Sequence, residues 1–282
     1  MDEQKNNKCL SIQESQQAAL NVLIKFDRIC KENNFRYFLI YGTLIGAIRH
    51  NGFIPWDDDI DVMMPREDYD RFVRHVFNNS EDLLPFKFHN RSNTDNYWYS
   101  VSRFSDMTYK YINLDIWGQN IDIGVFIDIY PWDNYGNSRE DAERLFYNVR
   151  KENEKYMHYI NTKNSNDGMI KSLERKLLSS ALLIVKGKDY SKKIDSIVRE
   201  YILSNTSESD KYIGHLFGAA GIRQYEKSKL MNLEAIPHEF AGHTFNIPAA
   251  YDYILRTGYG DYMQLPPEKD RHPTHDYEII KR

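Results

Sequence analysis

The sequence is poor in cysteine and in long apolar runs. Only 2 of its 282 residues are cysteine, and Cys9 and Cys30 have neither metal-ligand spacing nor the pattern of a disulfide framework. This scarcity predicts a reducing, cytoplasmic location. The longest apolar run, residues 177–185, is interrupted by two serines, whereas a membrane span needs about 20 apolar residues. We therefore expect neither a transmembrane helix nor a signal peptide, because the N-terminal region has no apolar segment.

An excess of positive charge is also absent. The chain has 37 Lys and Arg against 41 Asp and Glu, which gives a net charge of −4. Proteins that bind nucleic acids usually carry a basic field, so we expect no nucleic-acid partner. The hydrophobic content of 41% is sufficient for a substantial core. The 21 tyrosines suit either stacking on a ligand or core packing, and their number alone does not distinguish the two.

Hydrophobic periodicity predicts an α/β (α+β) fold with a small mixed sheet flanked by helices. Apolar residues at three-and-four spacing predict a helix over 12–33, and the same period predicts three helices within 139–205. Strands are predicted at 37–41, 60–64, 86–89, 97–104, 109–112 and 125–130, and shorter helices at 43–50, 66–77 and 249–256. Three prolines between 266 and 273 predict an extended, loop-like tail.

The composition divides the chain into three parts. We expect a catalytic core over 1–137, a helical section over 138–210, and a C-terminal part over 211–282 that completes the core and supplies a tail to the active site. A turn is predicted at 164–168. Residues 171–193 mix leucines with lysines. Such a stretch more often packs on its own domain than on an anionic membrane, so peripheral membrane contact is the less favoured interpretation.

The most informative segment is residues 41–64, YGTLIGAIRHNGFIPWDDDIDVMM. Asp59 and Asp61 are two residues apart, with apolar residues at the alternate positions, so a strand would point both carboxylates to one face. Two adjacent carboxylates repel unless a cation lies between them, and hard oxygen ligands suit Mg²⁺ or Mn²⁺. We therefore predict a metal site at Asp59 and Asp61. Asp57 and Asp58 are interpreted as a solvated turn.

A pair of metal ions requires a third carboxylate, and Asp128 is the best candidate. It is a charged residue within the apolar segment 125–130, where an unpartnered carboxylate is costly. Asp122 has the same strand parity and is the fallback. The alternative for Asp128 is a salt bridge to a buried arginine, which we favour less. Asp59, Asp61 and Asp128 are thus the predicted metal ligands and catalytic residues.

The Gly42–Thr43 pair is predicted to bind the phosphate of a donor. It lies between a strand and a helix, and a helix N-terminus offers unpaired N–H groups and a partial positive charge. Glycine allows an anion to approach the backbone closely. The alternative is a simple turn in which Thr43 is the N-cap. Arg49 and His50 follow on the same helix and are predicted to neutralise the donor phosphates, with a helix C-cap as the alternative.

Three segments together resemble the LicD family of phosphotransferases. They are residues 41–64, 124–131 (GVFIDIYP) and 259–272 (YGDYMQLPPEKDRH). The resemblance extends over about residues 15–275 and is weak between 138 and 210. It implies a nucleotidyltransferase core like that of DNA polymerase β and a distant relationship to the fukutin proteins. It also suggests that the C-terminal tail closes over the donor.

The tail residues and one tryptophan are candidates for nucleotide or substrate binding. They are Trp56, Arg271 and His272, with His275 in the same tail. A solvated basic tail is the alternative.

The spacing of the aspartates at 57–61 does not fit two other known acidic motifs. A calcium-binding EF-hand loop that began at Asp57 would need glycine at its sixth and glutamate at its twelfth position. Those positions hold Val62 and Asp68. The Asp-x-Asp motif of nucleotide-sugar glycosyltransferases normally follows a nucleotide-binding half of roughly 100 residues, whereas 58 residues precede Asp59. The nucleotidyltransferase interpretation is therefore favoured.

The resemblance implies an activity, because family members move phosphocholine, or a related phospho-alcohol, from a CDP-linked donor to a cell-surface sugar. We therefore expect CDP-choline or a related CDP-alcohol as donor, two Mg²⁺ or Mn²⁺ ions, and a glycan or lipid-linked glycan as acceptor. The expected location is the cytoplasm, at the inner face of the membrane if the acceptor is lipid-linked. Two alternatives stay open: a nucleotidyltransferase that uses NTP and releases pyrophosphate, and an inactive nucleotide- or glycan-binding protein.

A choline substrate would also require an aromatic cage around its quaternary ammonium. The sequence alone does not select the residues of such a cage. The available side chains are Trp56, Tyr97, Trp98, Tyr99, Trp117, Tyr130 and Trp132.

Overall fold

The computed structural model describes residues 8–95, 97–112, 115–116, 119–164, 190–216, 222–273, 275 and 277–282. Within these residues the chain forms six α-helices and thirteen β-strands. The helices are α1 (Ile12–Asn33), α2 (Tyr41–His50), α3 (Arg66–Asn78), α4 (Arg139–Asn164), α5 (Tyr190–Asn205) and α6 (Tyr251–Tyr259). The strands are β1 (Phe38–Leu39), β2 (Asp61–Pro65), β3 (Phe86–His89), β4 (Ser102–Asp106), β5 (Tyr109–Tyr111), β6 (Asp115–Ile116), β7 (Gln119–Asn120), β8 (Val125–Asn134), β9 (Tyr212–His215), β10 (Arg223–Glu226), β11 (Ala235–Phe240), β12 (His243–Pro248) and β13 (Ile279–Lys281).

Seven strands form one mixed sheet. Its central path runs β1-β2-β8-β4-β3, and β9 pairs with the end of β8 and with β10. Strands β2 and β8 are parallel, whereas the other pairs of this sheet are antiparallel. The parallel register places Asp61 beside Asp128, so their side chains face the same side of the sheet. The predicted mixed sheet flanked by helices is confirmed.

Helix α1 combines a capped start with an apolar face. Ser11 and Glu14 form a capping box, in which the Glu14 N–H donates to Ser11 Oγ at 3.3 Å. Asn34 ends the helix in the left-handed conformation, with φ 54°. The buried face packs on the sheet through residues such as Phe26, whose ring lies 5.0 Å from that of Tyr37. The helix has the bounds that periodicity predicts.

Strand β8 is longer than predicted. Its expected end before Pro131 is wrong, because the strand continues to Asn134. Proline has no N–H to donate to a neighbouring strand. However, β4 begins opposite Ile129, and β9 pairs with β8 only from Asp133 onward. On the other edge β2 pairs with β8 through Pro131, but the Asp128 N–H points to that edge, so by two-residue alternation the nitrogen of Pro131 points away from it. The missing donor therefore faces the gap between β4 and β9 and costs no hydrogen bond of the ladder.

Other bounds also differ from the predictions. The strand expected at 97–104 is β4, which starts at Ser102, because Tyr97 Oη donates to the Val101 carbonyl at 2.8 Å and the intervening residues turn. Helix α2 starts two residues earlier than expected, at Tyr41. The predicted extended tail contains one short 3₁₀ turn, Glu268–Asp270.

The helical section has a core of its own. Helices α4 and α5 pack around buried residues that include Leu145, Val149, Ile194 and Val198. The predicted turn at 164–168 and the amphipathic stretch at 171–193 lie outside the described residues, apart from their ends at 164 and 190–193. Across the part of the chain that the structure describes, no helix has the length and apolarity needed to cross a bilayer.

Candidate active site

An acidic centre lies where β2 and β8 run side by side. Asp61 begins β2 and lies beside Asp128, and the two residues are only 7% and 8% exposed. Asp57 and Asp59, in the loop that enters β2, are half-buried and repel Asp61 electrostatically. The structure therefore places Asp59, Asp61 and Asp128 in one acidic region, and their role as metal ligands stays a prediction.

Burial and mutual repulsion oppose the ionisation of these carboxyl groups. Burial, followed by the charges of Asp57 and Asp128, raises the pKa of Asp59 to about 8. Burial and Asp59 raise the pKa of Asp61 well above its usual range, although Tyr130 donates a hydrogen bond to Asp61. Burial and the adjacent aspartate raise the pKa of Asp57 to about 6. Near neutral pH Asp59 and Asp61 therefore either retain protons or need a cation beside them, whereas Asp57 is mostly ionised.

The interpretation of Asp57 and Asp58 as a solvated turn is wrong. The side chain of Asp58 is only 9% exposed, because the C-terminal tail packs over it. The His275 N–H donates to Asp58 Oδ2 at 3.2 Å, and His275 Nδ1 lies 3.1 Å from Asp58 Oδ1. This hydrogen bond raises the pKa of His275. The Asp57 carbonyl is also engaged, since it accepts a hydrogen bond from Gln16 Nε2 at 2.8 Å.

Asp128 forms the salt bridge to a buried arginine that the sequence left as the less favoured alternative. Arg103 Nε donates to Asp128 Oδ1 at 2.7 Å, and Arg103 is 3% exposed. Its guanidinium lies 3.6 Å from the Tyr99 ring centroid and 3.8 Å from that of Phe126. Among the described residues, Oδ2 of Asp128 accepts no hydrogen bond, so one oxygen is left for a ligand. Asp122, the fallback, is exposed and pairs with Arg282 instead.

The first turn of α2 contacts the acidic centre. The helix begins at Tyr41, so the alternative in which Thr43 is the N-cap is wrong. Thr43 is buried, and its Oγ1 accepts a hydrogen bond from the Asp61 N–H at 2.9 Å. A Cβ on Gly42 would lie 2.7 Å from Asp57 Oδ2. The unpaired N–H groups of this helix end therefore lie beside carboxylates, and phosphate binding by Gly42 and Thr43 stays a prediction.

Replacing Gly42 with valine is expected to weaken donor binding more than it weakens the fold. The nearest atoms to the added side chain belong to Asp57, so the substitution displaces a carboxylate of the centre rather than the core. The measurements are the melting temperature and the Kd for CDP-choline with Mg²⁺. Gly46→Val is the control in the same helix, because its Cβ would meet the Gly52 carbonyl at 2.4 Å and should lower the melting temperature. A large loss of stability with an unchanged Kd for Gly42→Val would assign Gly42 a structural role only.

A second group of predicted residues meets at the C-terminal end of α2. Arg49 Nη1 donates to the Tyr262 carbonyl at 2.8 Å, and Arg49 Nε donates to His50 Nε2 at 2.9 Å. Burial and the charge of Arg271 lower the pKa of Arg49, and burial and Arg49 lower the pKa of His50. Arg271 Cζ lies 5.8 Å from the Trp56 ring centroid. Among the described residues neither arginine has a carboxylate within 4.0 Å, so the group carries uncompensated positive charge.

The aromatic candidates separate into buried and partly accessible rings. Tyr97 and Trp132 are 0% and 1% exposed and belong to the core. The partly accessible candidates are Trp56, Trp98, Tyr99 and Tyr130. Trp117 lies outside the described residues. His272, the remaining tail candidate, is exposed, and its Nδ1 lies 3.0 Å from the Pro273 carbonyl oxygen.

Several side chains beside the acidic centre are not identified by the sequence patterns. Tyr41 has a left-handed backbone with φ 51°, and its hydroxyl lies 3.4 Å from Nδ1 of buried His215. Burial lowers the pKa of His215 to about 3, so this imidazole is neutral. Arg223 and Tyr259 complete the wall next to Tyr41. Tyr41 and Tyr259 lie at the start of two recognisable segments, 41–64 and 259–272, whereas the strands β9 and β10 that supply His215 and Arg223 carry no local motif.

The side chains of the centre are chemically suited to a hard divalent cation. Asp58, Asp59 and His275 place one potential ligand atom each within 4.8 Å of one another. Asp61 and Asp128 add carboxylate oxygens on the adjoining strands. Oxygen ligands of this kind suit Mg²⁺ and Mn²⁺, and a cation would relieve the repulsion that raises the pKa of these groups. The expected ions therefore fit the residues that are present.

The fold is thus a mixed α/β unit with an acidic centre bordered by arginines. Residues 34–161 of the chain match the family model LicD/FKTN/FKRP, nucleotidyltransferase domain. The lipopolysaccharide cholinephosphotransferase LicD of Haemophilus influenzae is 30% identical over 283 residues, which cover 96% of this chain and 98% of that protein. An uncharacterised protein of Rickettsia typhi is 28% identical over 133 residues, which cover 37% of this chain and 43% of that protein. The chain belongs to the LicD family, which confirms the resemblance seen in the sequence.

Proposed function

We propose that this protein transfers a phospho-alcohol, phosphocholine foremost, from a CDP-linked donor to a sugar hydroxyl of a cell-surface glycan or its precursor. The Haemophilus influenzae relative is named for choline phosphate transfer to lipopolysaccharide, and the two chains match over nearly their whole lengths. The family model supports a nucleotidyltransferase-type core around β2 and β8. We propose that the acceptor is a glycan or lipid-linked glycan at the inner face of the membrane, which is compatible with this transfer.

The observation that carries the proposal is the concentration of carboxylates on one face of the β2–β8 pair. Asp59, Asp61 and Asp128 are close enough to repel one another, and the pKa of Asp59 is raised to about 8. Such a cluster opposes folding unless something compensates its charge. We propose that the three side chains hold two Mg²⁺ or Mn²⁺ ions, with Asp58 and His275 at the margin of the site. When bound, these ions would neutralise phosphate charge and lower the pKa of the acceptor hydroxyl.

The protein residues then have distinct proposed roles. We propose that Asp128, whose Oδ2 accepts no hydrogen bond from the described residues, accepts the proton of the attacking hydroxyl. Arg49 and Arg271 supply positive charge for the donor diphosphate. In the reaction the sugar oxygen forms a bond to the phosphorus that carries choline, and the bond from that phosphorus to the CMP oxygen breaks. CMP leaves with the electron pair of the broken bond, so positioning and charge compensation account for most of the catalysis.

Chelation of divalent ions is expected to weaken donor binding by about tenfold or more, because the ions would bridge the diphosphate and the carboxylates. Calorimetry with CDP-choline in Mg²⁺ and in EDTA measures this difference. CDP-ethanolamine, CDP-ribitol and CDP-glycerol form the comparison panel for the alcohol. Equal affinity of CDP-choline in the two buffers would contradict the bridging role of the ions.

Product analysis separates the proposal from its alternatives. Incubation with CDP-choline and an acceptor glycan should release CMP. Release of pyrophosphate from an NTP would instead indicate a nucleotidyltransferase, and nucleotide binding without either product would indicate a binding protein.

A further inference from the structure

Arg223 lies at the edge of the acidic centre, on the β9–β10 hairpin. In this hairpin it pairs with His215, whose side chain is buried beneath Tyr41. The Arg223 Cζ lies 4.8 Å from the ring centroid of Tyr259 and 5.7 Å from that of Tyr41. The Tyr259 hydroxyl is also close enough to raise the pKa of Arg223. Two aromatic rings therefore hold this cation in place.

The guanidinium of Arg223 has no carboxylate partner among the described residues, although it is half-buried. The more deeply buried Arg66 and Arg103 do have one: Arg66 pairs with Asp133, and Arg103 pairs with Asp128. The two tyrosines that hold Arg223 are close enough to the acidic centre for Asp61 to act on both of their hydroxyls. An arginine without a carboxylate partner among the described residues thus lies against the two tyrosines whose hydroxyls Asp61 acts on.

We propose that Arg223 binds the phosphate of the donor from the side opposite the carboxylates. The inference rests on the proposed function, since it concerns the same donor, but it adds a residue outside the predicted group at Arg49, His50 and Arg271. Carboxylates repel a phosphate, so the anion needs positive charge on its other side as well. A planar guanidinium that is already stacked on aromatic rings binds phosphate oxygens in bidentate fashion with little further loss of rotational freedom.

The test uses inorganic pyrophosphate as the first probe, because it reports the phosphate subsite without assuming any alcohol or nucleotide. Calorimetry with Mg²⁺ compares the wild type with Arg223→Gln and Arg223→Lys. We expect Arg223→Gln to weaken pyrophosphate binding by about ten- to a hundredfold, and Arg223→Lys to weaken it less because the charge remains. Arg150→Gln is the matched control, since Arg150 is exposed on α4 and pairs with Glu154. The affinity of this variant for pyrophosphate should equal that of the wild type.

Two results would overturn the assignment of Arg223. One is a wild-type protein that binds no pyrophosphate, and the other is an Arg223→Gln variant whose Kd lies within about twofold of the wild-type value. Melting temperatures show whether the variants fold. If Arg223→Gln does not fold, Arg223→Lys and Tyr259→Phe decide: each should weaken pyrophosphate binding several-fold, and unchanged affinity in both would reject the proposal.

A second arm separates this inference from the proposed function. CMP release from CDP-choline is measured with the wild type and with Arg223→Gln. A wild type that binds pyrophosphate through Arg223 but releases no CMP would reject the proposed function and keep the phosphate subsite. A wild type that releases CMP, together with an Arg223→Gln variant of equal kcat and KM, would reject the subsite and keep the function.

Discussion

Asn in place of Asp59 or Asp61 is expected to abolish turnover while the protein stays folded. Each substitution removes an anionic oxygen from the proposed ion site, and the loss of several kcal/mol of transition-state stabilisation corresponds to about a thousandfold or more in rate. Stability should not fall in EDTA, because burial and repulsion already raise the pKa of both carboxyls. A neutral amide relieves that repulsion.

The experiment measures CMP release from CDP-choline together with thermal melting in EDTA. Asp82→Asn serves as the control, since Asp82 is an exposed aspartate, and it should retain wild-type rates. If the Asp59→Asn and Asp61→Asn variants fold and turn over at near-normal rates, the acidic centre is not an ion site for this reaction.

Asp128→Asn is expected to abolish activity and, unlike the first two variants, to destabilise the fold. Its carboxylate is the counter-ion of Arg103, whose side chain is 4% exposed. Removing one partner of a buried ion pair leaves an uncompensated charge and typically costs about 3–5 kcal/mol. No second hydrogen bond of Arg103 Nη1 would replace the lost ion pair, because this atom is buried and has no hydrogen-bond partner among the described residues.

A double variant separates the two roles of Asp128. Arg103→Met with Asp128→Asn removes the stranded cation and keeps an unbranched side chain between the rings of Tyr99 and Phe126, so stability should largely return. Activity should not return, because the carboxylate is still missing. Recovery of both stability and CMP release in the double variant would show that Asp128 is only the counter-ion of Arg103.

The strand-borne part of the candidate site is predictable from local sequence. The alternation around Asp61, and the isolated charge at Asp128 within an apolar strand, reflect the two-residue period of a strand and the cost of burying a charge. For the same reason α1 and β3 occur where periodicity places them. These features can be predicted because each depends only on residues that lie nearby in the sequence.

The environment of those residues depends on long-range packing and is not predictable in the same way. Asp58 has the sequence context of a solvated turn, yet it is covered by His275, 217 residues further along the chain. Arg103 gives no sign in the sequence that it will pair with Asp128 across β4 and β8. His215 and Arg223 lie on a hairpin whose packing beside Tyr41 is set only by the complete fold.

The hydrophobic core determines whether the segment that holds the acidic centre could be transferred to another protein. It takes in Leu23 from α1 and Phe245 from β12, and it surrounds the strands that hold the acidic centre. A backbone hydrogen bond links two segments near the ends of the chain, since the Leu10 N–H donates to the Ile279 carbonyl at 2.8 Å. The segment 34–161 that matches the family model is therefore not a module. Grafted alone onto another protein, it would carry the acidic residues without the α1 and C-terminal residues that bury them.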